Sequence, residues 1–304
     1  MPVSRVTKRA IRDGGMVGVL AAPAGSGPAP GVLLLGGSEG GLHERDAEVL
    51  AGHGFTVLAL AYFGLPGLSA GLVDIPVEYF SRGLDVLAAQ PPAGERLGVT
   101  GASRGGEAAL LTGAHDQRVA AVVSVVGSGL LTAGIDFSRG GLLDILDGAP
   151  PSWTVGGERL PYLRHVIPDE MRDRVERGRP VRLALSFPPV PDDPAELERL
   201  SIPVERTEGA VLLLSAADDG GWPSTAYSQV AADRLAAAGH RYAFEHRIFD
   251  AGHLIGGPPG TTMMSTTSPG PGVVFEHGGT PAANNAARAA AWQATVGFFA
   301  EHLS

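Results

Sequence analysis

The sequence predicts a doubly wound α/β fold on a mostly parallel sheet. Three observations lead there. Short β-type runs recur along the 304 residues, and from the third onward most are continuously apolar, which suits central strands covered on both faces. Helical patterns stand between them. The composition, 44% hydrophobic and 18% charged, is that of a globular core, and a chain of this length buries roughly three quarters of its unfolded surface.

The elements follow in order. Val6–Ile11 and Met16–Ala22 read as a hairpin around Asp13-Gly14-Gly15. Val32–Leu35 is a third strand, followed by a weaker helix from Leu42 to His53 that Gly54 can stop. Phe55–Ala61 is the fourth strand. Val77, Phe80, Leu84 and Leu87 then fall on one face of a helix. Leu97–Gly101 is the fifth strand, GGEAALLTGAH the helix behind it, and Val119–Val126 the sixth strand. Residues 128–206 break the rhythm. They are rich in proline, arginine and acids, show no clear strand, and are too long for an ordinary loop. They are expected to form a cap over the C-terminal edge of the sheet, with short helices near Asp169–Arg177. Ala210–Leu214, a helix over Ala226–Ala238 and the strand Tyr242–Phe249 resume the alternation. Ser265–Gly272 reads as a mobile loop. Trp292, Val296, Phe299 and Leu303 mark a last helix. Eight strands with an antiparallel first pair match the full set of the α/β-hydrolase fold, here expected as one domain over residues 1–304 with the cap inserted.

Composition excludes several classes. A net charge of −9 opposes non-specific binding to nucleic acid. With no cysteine there is no disulfide, no thiolate metal site and no cysteine nucleophile. No metal-ligand or phosphate-loop motif is present, so no metal and no cofactor is expected. No apolar run is long enough for a membrane span. The first residues carry basic groups without the apolar stretch of a secretory signal, so a cytoplasmic location is expected.

Two pentapeptides fit G-x-S-x-G, Gly36-Gly37-Ser38-Glu39-Gly40 and Gly101-Ala102-Ser103-Arg104-Gly105. Their order in the chain separates them. Ser103 stands between the fifth strand and a helix, a turn that puts its hydroxyl at a helix N-terminus, where free N–H groups and the dipole favour negative charge. Ser38 follows the third strand, where a glycine-rich loop supplies one oxyanion donor, the other being the N–H after the nucleophile. The donors are therefore the backbone N–H groups of Arg104 and, to within one residue, Ser38. Gly37 and Glu39 of the same loop are candidate substrate contacts.

The order serine, acid, histidine leads next to Asp218 or Asp219 after the seventh strand, and to His253 in a glycine-flanked loop after the eighth. Asp219 lies further out on its loop. Asp218 can accept backbone N–H bonds of the following turn. His43, His53, His115, His240 and His302 lie on helical patterns or their ends and read as solvated, and His246 lies within a strand. His165 and His277, in irregular segments, are the remaining rivals. Trp153 and Trp222 suit an acyl pocket or a core equally. Glu107 reads as an acid in a first helical turn. The arginines of 158–182 are interleaved with acids and read first as a solvated, salt-bridged face. Arg172 and Arg174 are the candidates should they meet phosphates.

The stretches LLLGGSEGG, GFTVLALAYFG, GASRGGEAALL, SIPVERTEG, LLLSAADDGGW, FDAGH and HGGTPAANNAARAAAW resemble the C-terminal catalytic domain of acyl-CoA thioesterases and bile acid-CoA:amino acid N-acyltransferases. The resemblance runs from about Gly31 to Leu303. It implies a serine hydrolase in which Ser103 attacks, Asp219 rather than Asp218 is the acid, and His253 is the base. The implied substrates are acyl thioesters on coenzyme A or a carrier protein. Animal members carry a β-sandwich domain before this one, for which this chain has no room, so the cap is expected to select the acyl group. The amino-acid transferases of the family resemble this pattern with a cysteine nucleophile, and the serine here leans toward water as acceptor. Transfer to an amine or alcohol, general carboxylesterase activity and a non-catalytic binding role are the alternatives, the intact serine, aspartate and histidine arguing against the last.

Overall fold

The computed structural model describes residues 5–303 apart from 26, 28, 91, 92, 271 and 272. Eight strands form the main sheet: β1 (Val6–Ile11), β2 (Val17–Pro23), β3 (Gly31–Leu35), β4 (Thr56–Ala61), β5 (Leu97–Ala102), β6 (Val119–Val125), β7 (Ala210–Ala216) and β8 (Phe244–Phe249). Their order is β1-β2-β4-β3-β5-β6-β7-β8. β2 is antiparallel to β1 and to β4, and every other pairing is parallel.

The continuous apolar runs are explained by two covered faces. Leu33, Leu35, Val99, Val122 and Leu213 pack toward α2 (Glu78–Ala88), α3 (Arg104–His115) and α7 (Ser224–Ala237). The alternate residues Val32, Leu34, Val123, Val125 and Leu212 pack toward α1 (Glu44–Ala51) and α8 (Pro281–His302). Each fully buried aliphatic side chain of this kind contributes about 1.5–3 kcal/mol. Parallel strands so arranged bring all their C-terminal ends to one edge, where the loops carrying Ser38, Ser103, Asp219 and His253 converge.

The insertion between β6 and β7 holds α4 (Leu142–Leu146), α5 (Asp169–Glu176) and α6 (Pro194–Leu200). Contrary to the sequence reading it also contains strands. Trp153–Val155 and Glu158–Arg159 form a hairpin, and the first pairs in parallel with Ile75–Pro76. The signal was Gly156-Gly157, whose φ angles of 59° and 82° make the turn that a two-residue hairpin needs.

The stretch 265–272 is a second correction. Thr266–Gly270 pairs antiparallel with Val273–Glu276, although residues 271 and 272 lie outside the described residues. The hairpin is tied to the insertion, because Val181 donates its N–H to the Val274 carbonyl (2.8 Å) and accepts from the Glu276 N–H (2.9 Å).

Candidate active site

Ser103 sits between β5 and α3 with φ 56° and ψ −120°. Such a backbone costs on the order of 1–3 kcal/mol in a residue other than glycine. Close packing enforces it. A Cβ on Gly101 would come 2.4 Å from the Gly105 carbonyl, and a Cβ on Gly105 would come 2.4 Å from the Leu35 carbonyl oxygen. Only glycines let the strand, the turn and the β3 loop approach this closely. The Ser103 N–H is satisfied by the Val125 carbonyl (2.9 Å).

His253 is held by its own N–H, which donates to the His277 carbonyl (2.8 Å). Its Nε2 lies 2.9 Å from Ser103 Oγ. Its Nδ1 lies 2.8 and 3.0 Å from the two Asp219 oxygens. Asp219 Oδ1 also accepts the N–H groups of Gly221 (2.8 Å) and Trp222 (3.2 Å). The residue that binds the turn is thus Asp219, the same one that meets the imidazole. Asp218 faces outward, to the Arg182 guanidinium (2.6 Å) and the Gly279 N–H (2.8 Å). Burial alone would lower the His253 pKa, but the charge and hydrogen bond of Asp219 outweigh it and hold the pKa above its ordinary value. Trp222 meets the ring edge-on at 6.5 Å and His277 stacks at 6.2 Å. Burial, and the neighbouring His253, push His277 down to about 4.

The glycine-rich loop is tied from several sides. Tyr62 Oη donates to the Gly36 carbonyl (2.6 Å), and the Gly37 N–H donates to Glu39 Oε1 (3.4 Å). His43 is not solvated, as its position before α1 suggested. A Cβ on Gly36 would come 2.3 Å from its ring, which stands 3.2 Å from Glu39 and 3.6 Å from Asp46. The Asp46 hydrogen bond raises the His43 pKa, burial opposes it, and Glu39 adds to the rise. Among the described residues, neither the Ser38 N–H nor the Arg104 N–H has a protein acceptor, and both residues line a cavity of about 1110 Å³ that also holds Ser103 and His253. Gly37, Glu39 and Trp222 line it as well.

Arg172 and Arg174 do not. They lie on α5, whose one buried residue is Met171, and Arg174 pairs with Glu170 at 3.0 Å. The wider arginine set behaves as a salt-bridged surface, with Arg159 on Asp74 (2.6 Å) and Arg177 on Asp173 (2.5 Å). Trp153 lies in the core and its indole donates to Glu107 (2.7 Å), which stands in the first turn of α3 and is buried. Polar residues that the sequence reading did not place at the site include His43, Tyr62 and Arg288, and the two histidines weighed as rivals, His165 and His277, also line the cavity, His277 beside His253. For Tyr62 and Arg288 no local pattern marks the role. His43 and His277 sit within a few residues of a glycine pair, which was the available signal. Among the described residues no cluster fit to hold a metal ion occurs, and no helix is long and apolar enough to cross a membrane.

A family model described as BAAT / acyl-CoA thioester hydrolase C terminal matches residues 75–304. The chain belongs to that family. This family member is 30% identical over 302 residues to human acyl-coenzyme A thioesterase 6, covering 98% of the chain and 66% of the relative. It is 32% identical over 294 residues to mouse acyl-coenzyme A thioesterase 3, covering 96% and 63%. The chain therefore spans just under two thirds of the length of these relatives. Among solved structures it resembles a dienelactone hydrolase-like promiscuous phosphotriesterase from metagenomic libraries, at TM-score 0.56 and 17% identity over 99% of each chain. It also resembles the Pyrococcus horikoshii acylaminoacyl peptidase, at TM-score 0.57 and 16% identity over 98% of this chain and 41% of the other. At such identities the likeness establishes the α/β-hydrolase fold and nothing finer.

Proposed function

We propose that this BAAT/acyl-CoA thioester hydrolase family member is a serine hydrolase of acyl thioesters, working as one catalytic domain with the 128–206 insertion as its cap. The observation that carries the reading is the hydrogen-bonded line Ser103–His253–Asp219 beside two backbone donors without acceptors. Family membership and the relatives' names support the thioester as substrate.

The chemistry follows from the geometry. His253 Nε2 takes the Ser103 proton as Oγ adds to the thioester carbon. Asp219 keeps the second imidazole proton on Nδ1 and stabilises the cation. The carbonyl oxygen, now negative, meets the N–H groups of Arg104 and Ser38, each worth roughly 3 kcal/mol. The C–S bond breaks, the imidazolium returns its proton to the thiolate sulfur, and an acyl ester remains on Ser103. Water then repeats the sequence and releases the acid. With Arg172 and Arg174 away from the cavity, nothing in the site supports their binding of phosphates or of a carrier protein. The cytoplasmic location rests on the sequence reading alone.

The test is thiol release from acyl-CoA, compared with aryl esters of the same acids. The reading expects hydrolysis of thioesters that Ser103→Ala abolishes. Efficient ester hydrolysis with inert thioesters would make the protein a carboxylesterase instead.

A further inference from the structure

The lining of the cavity at Ser103 falls into two stretches of different character. One lies under the insertion, beside Ile135, Phe137 and Ile145, and is open: Phe137 is 50% exposed. The other runs along the α8 face of the sheet. Leu34, Thr100 and Val125 line it from the strands, and Ala291, Trp292 and Thr295 from α8. Leu34 and Val125 belong to the core on that face. Thr100 shares it, because Gly98, one pleat earlier, is so placed that a Cβ would come 2.7 Å from Phe299 on α8. These six residues are uncharged and none is more than 8% exposed, while Arg288 on α8 and Asp46 and His43 at α1 add polar groups to the cavity on this side. Interiors are close-packed, and an unfilled space forfeits dispersion contacts all along its lining. A buried, largely apolar stretch of cavity joined to the Ser103 hydroxyl points to an occupant.

The direction of proton transfer says which occupant. His253 must protonate the leaving thiol, so the thiol departs on the His253 side. The wall beside His253 has two parts: Leu254, Ile255 and Gly256 run toward α8, and His277, Thr267 and Phe275 belong to the hairpin that docks on the insertion. A large carrier fits only an opening to solvent. The acyl chain is left with the buried stretch along α8.

We propose that the α8-face stretch is the acyl subsite, a closed slot that limits chain length, and that the stretch under the insertion passes the thiol carrier. This rests on the thioester reading, and it departs from the expectation that the insertion selects the acyl group.

The test measures kcat/KM for a series of straight-chain acyl-CoAs, acetyl to palmitoyl, and for nitrophenyl esters of the same acids. Ala291→Leu and Thr295→Leu narrow the slot, and Trp292→Leu deepens it. The long-to-short ratio is expected to fall by about tenfold or more in the first two and to rise in the third, since each methylene that fits or fails to fit carries such factors. Ile145→Trp, in the other stretch, should leave the ratio alone and raise KM for thioesters over aryl esters. Because the readout is a ratio within one preparation, a partly unfolded variant does not mimic the result. If Ile145→Trp moves the ratio while the α8 variants do not, the assignment is reversed and the proposal fails. If thioesters are inert but the aryl esters show the same shifts, the subsite stands and the thioesterase reading falls.

Discussion

The Arg104 guanidinium lies 2.8 Å from the Glu107 carboxylate, and both side chains are buried at the foot of the candidate nucleophile's helix. Arg104 also donates to the Ala133 carbonyl (3.0 Å) and to Ser152, while Glu107 accepts from the Thr132 N–H (2.9 Å) and the Trp153 indole. One ion pair thus ties the helix that carries Ser103 to two segments of the insertion. Burial pushes Glu107 up and Arg104 down, each opposed by the charge of the other.

Removing one partner of this pair leaves a bare charge in the core. Arg104→Met should lower unfolding stability by about 3–5 kcal/mol, read from urea denaturation. Arg104→Met with Glu107→Leu should recover part of the loss, although the Thr132 and Trp153 donors then lack an acceptor. A single variant as stable as the parent would mean that the pair is not desolvated.

The pH profile follows from His253. As the proposed base, His253 works only when neutral, and Asp219 holds its pKa above the ordinary 6.5. Activity should therefore be lost on acidification through that raised value, and the acid limb of kcat/KM should lie above pH 6.5. In Asp219→Asn the carboxylate charge and its hydrogen bond are gone and burial is opposed only by the charge of Glu39, so the limb should move to lower pH. A limb that stays put would separate Asp219 from the titration.

The two neighbouring acids should differ sharply. Asp219→Asn should lower kcat by up to about 10⁴-fold, because the amide favours the wrong imidazole tautomer. Asp218→Asn breaks a partly exposed pair with Arg182, of a kind worth about 0–1 kcal/mol, and should cost little activity. The reverse ranking in folded variants would move the acid's role to Asp218.

Gly105→Ala forces a methyl to 2.4 Å from the Leu35 carbonyl oxygen. The elbow and the β3 loop must then separate, so covalent labelling of Ser103 should slow strongly while the circular dichroism stays that of the folded chain. Labelling at the parent rate would show that the close approach is not needed.

How far the sequence revealed this depends on the kind of contact. Strand runs such as Val119–Val126 are local patterns, and all eight strands could be read from them, whereas the order of serine, acid and histidine pointed to Ser103 and His253 but left Asp218 open beside Asp219, which the family resemblance favoured. The Gly-Gly turn at 156–157 was also local, but it was hidden by the prolines and charges around it. His43, Tyr62 and Arg288 come to the site only through packing of α1, β4 and α8 around the sheet edge, and no spacing along the chain records that. Arg172 and Arg174 failed for the opposite reason. A charge-rich stretch looks the same whether its helix faces a ligand or the solvent, and α5 faces the solvent, paired with its own acids.

The central claim is that Ser103 forms a covalent bond with the acyl group of a thioester. Its most direct test is mass spectrometry of the protein acid-quenched during turnover of an acyl-CoA, followed by peptide mapping. The predicted result is one acyl adduct on the peptide that contains Ser103, absent in Ser103→Ala and retained in Ser38→Ala. An adduct on another residue, or one that survives Ser103→Ala, would contradict the account.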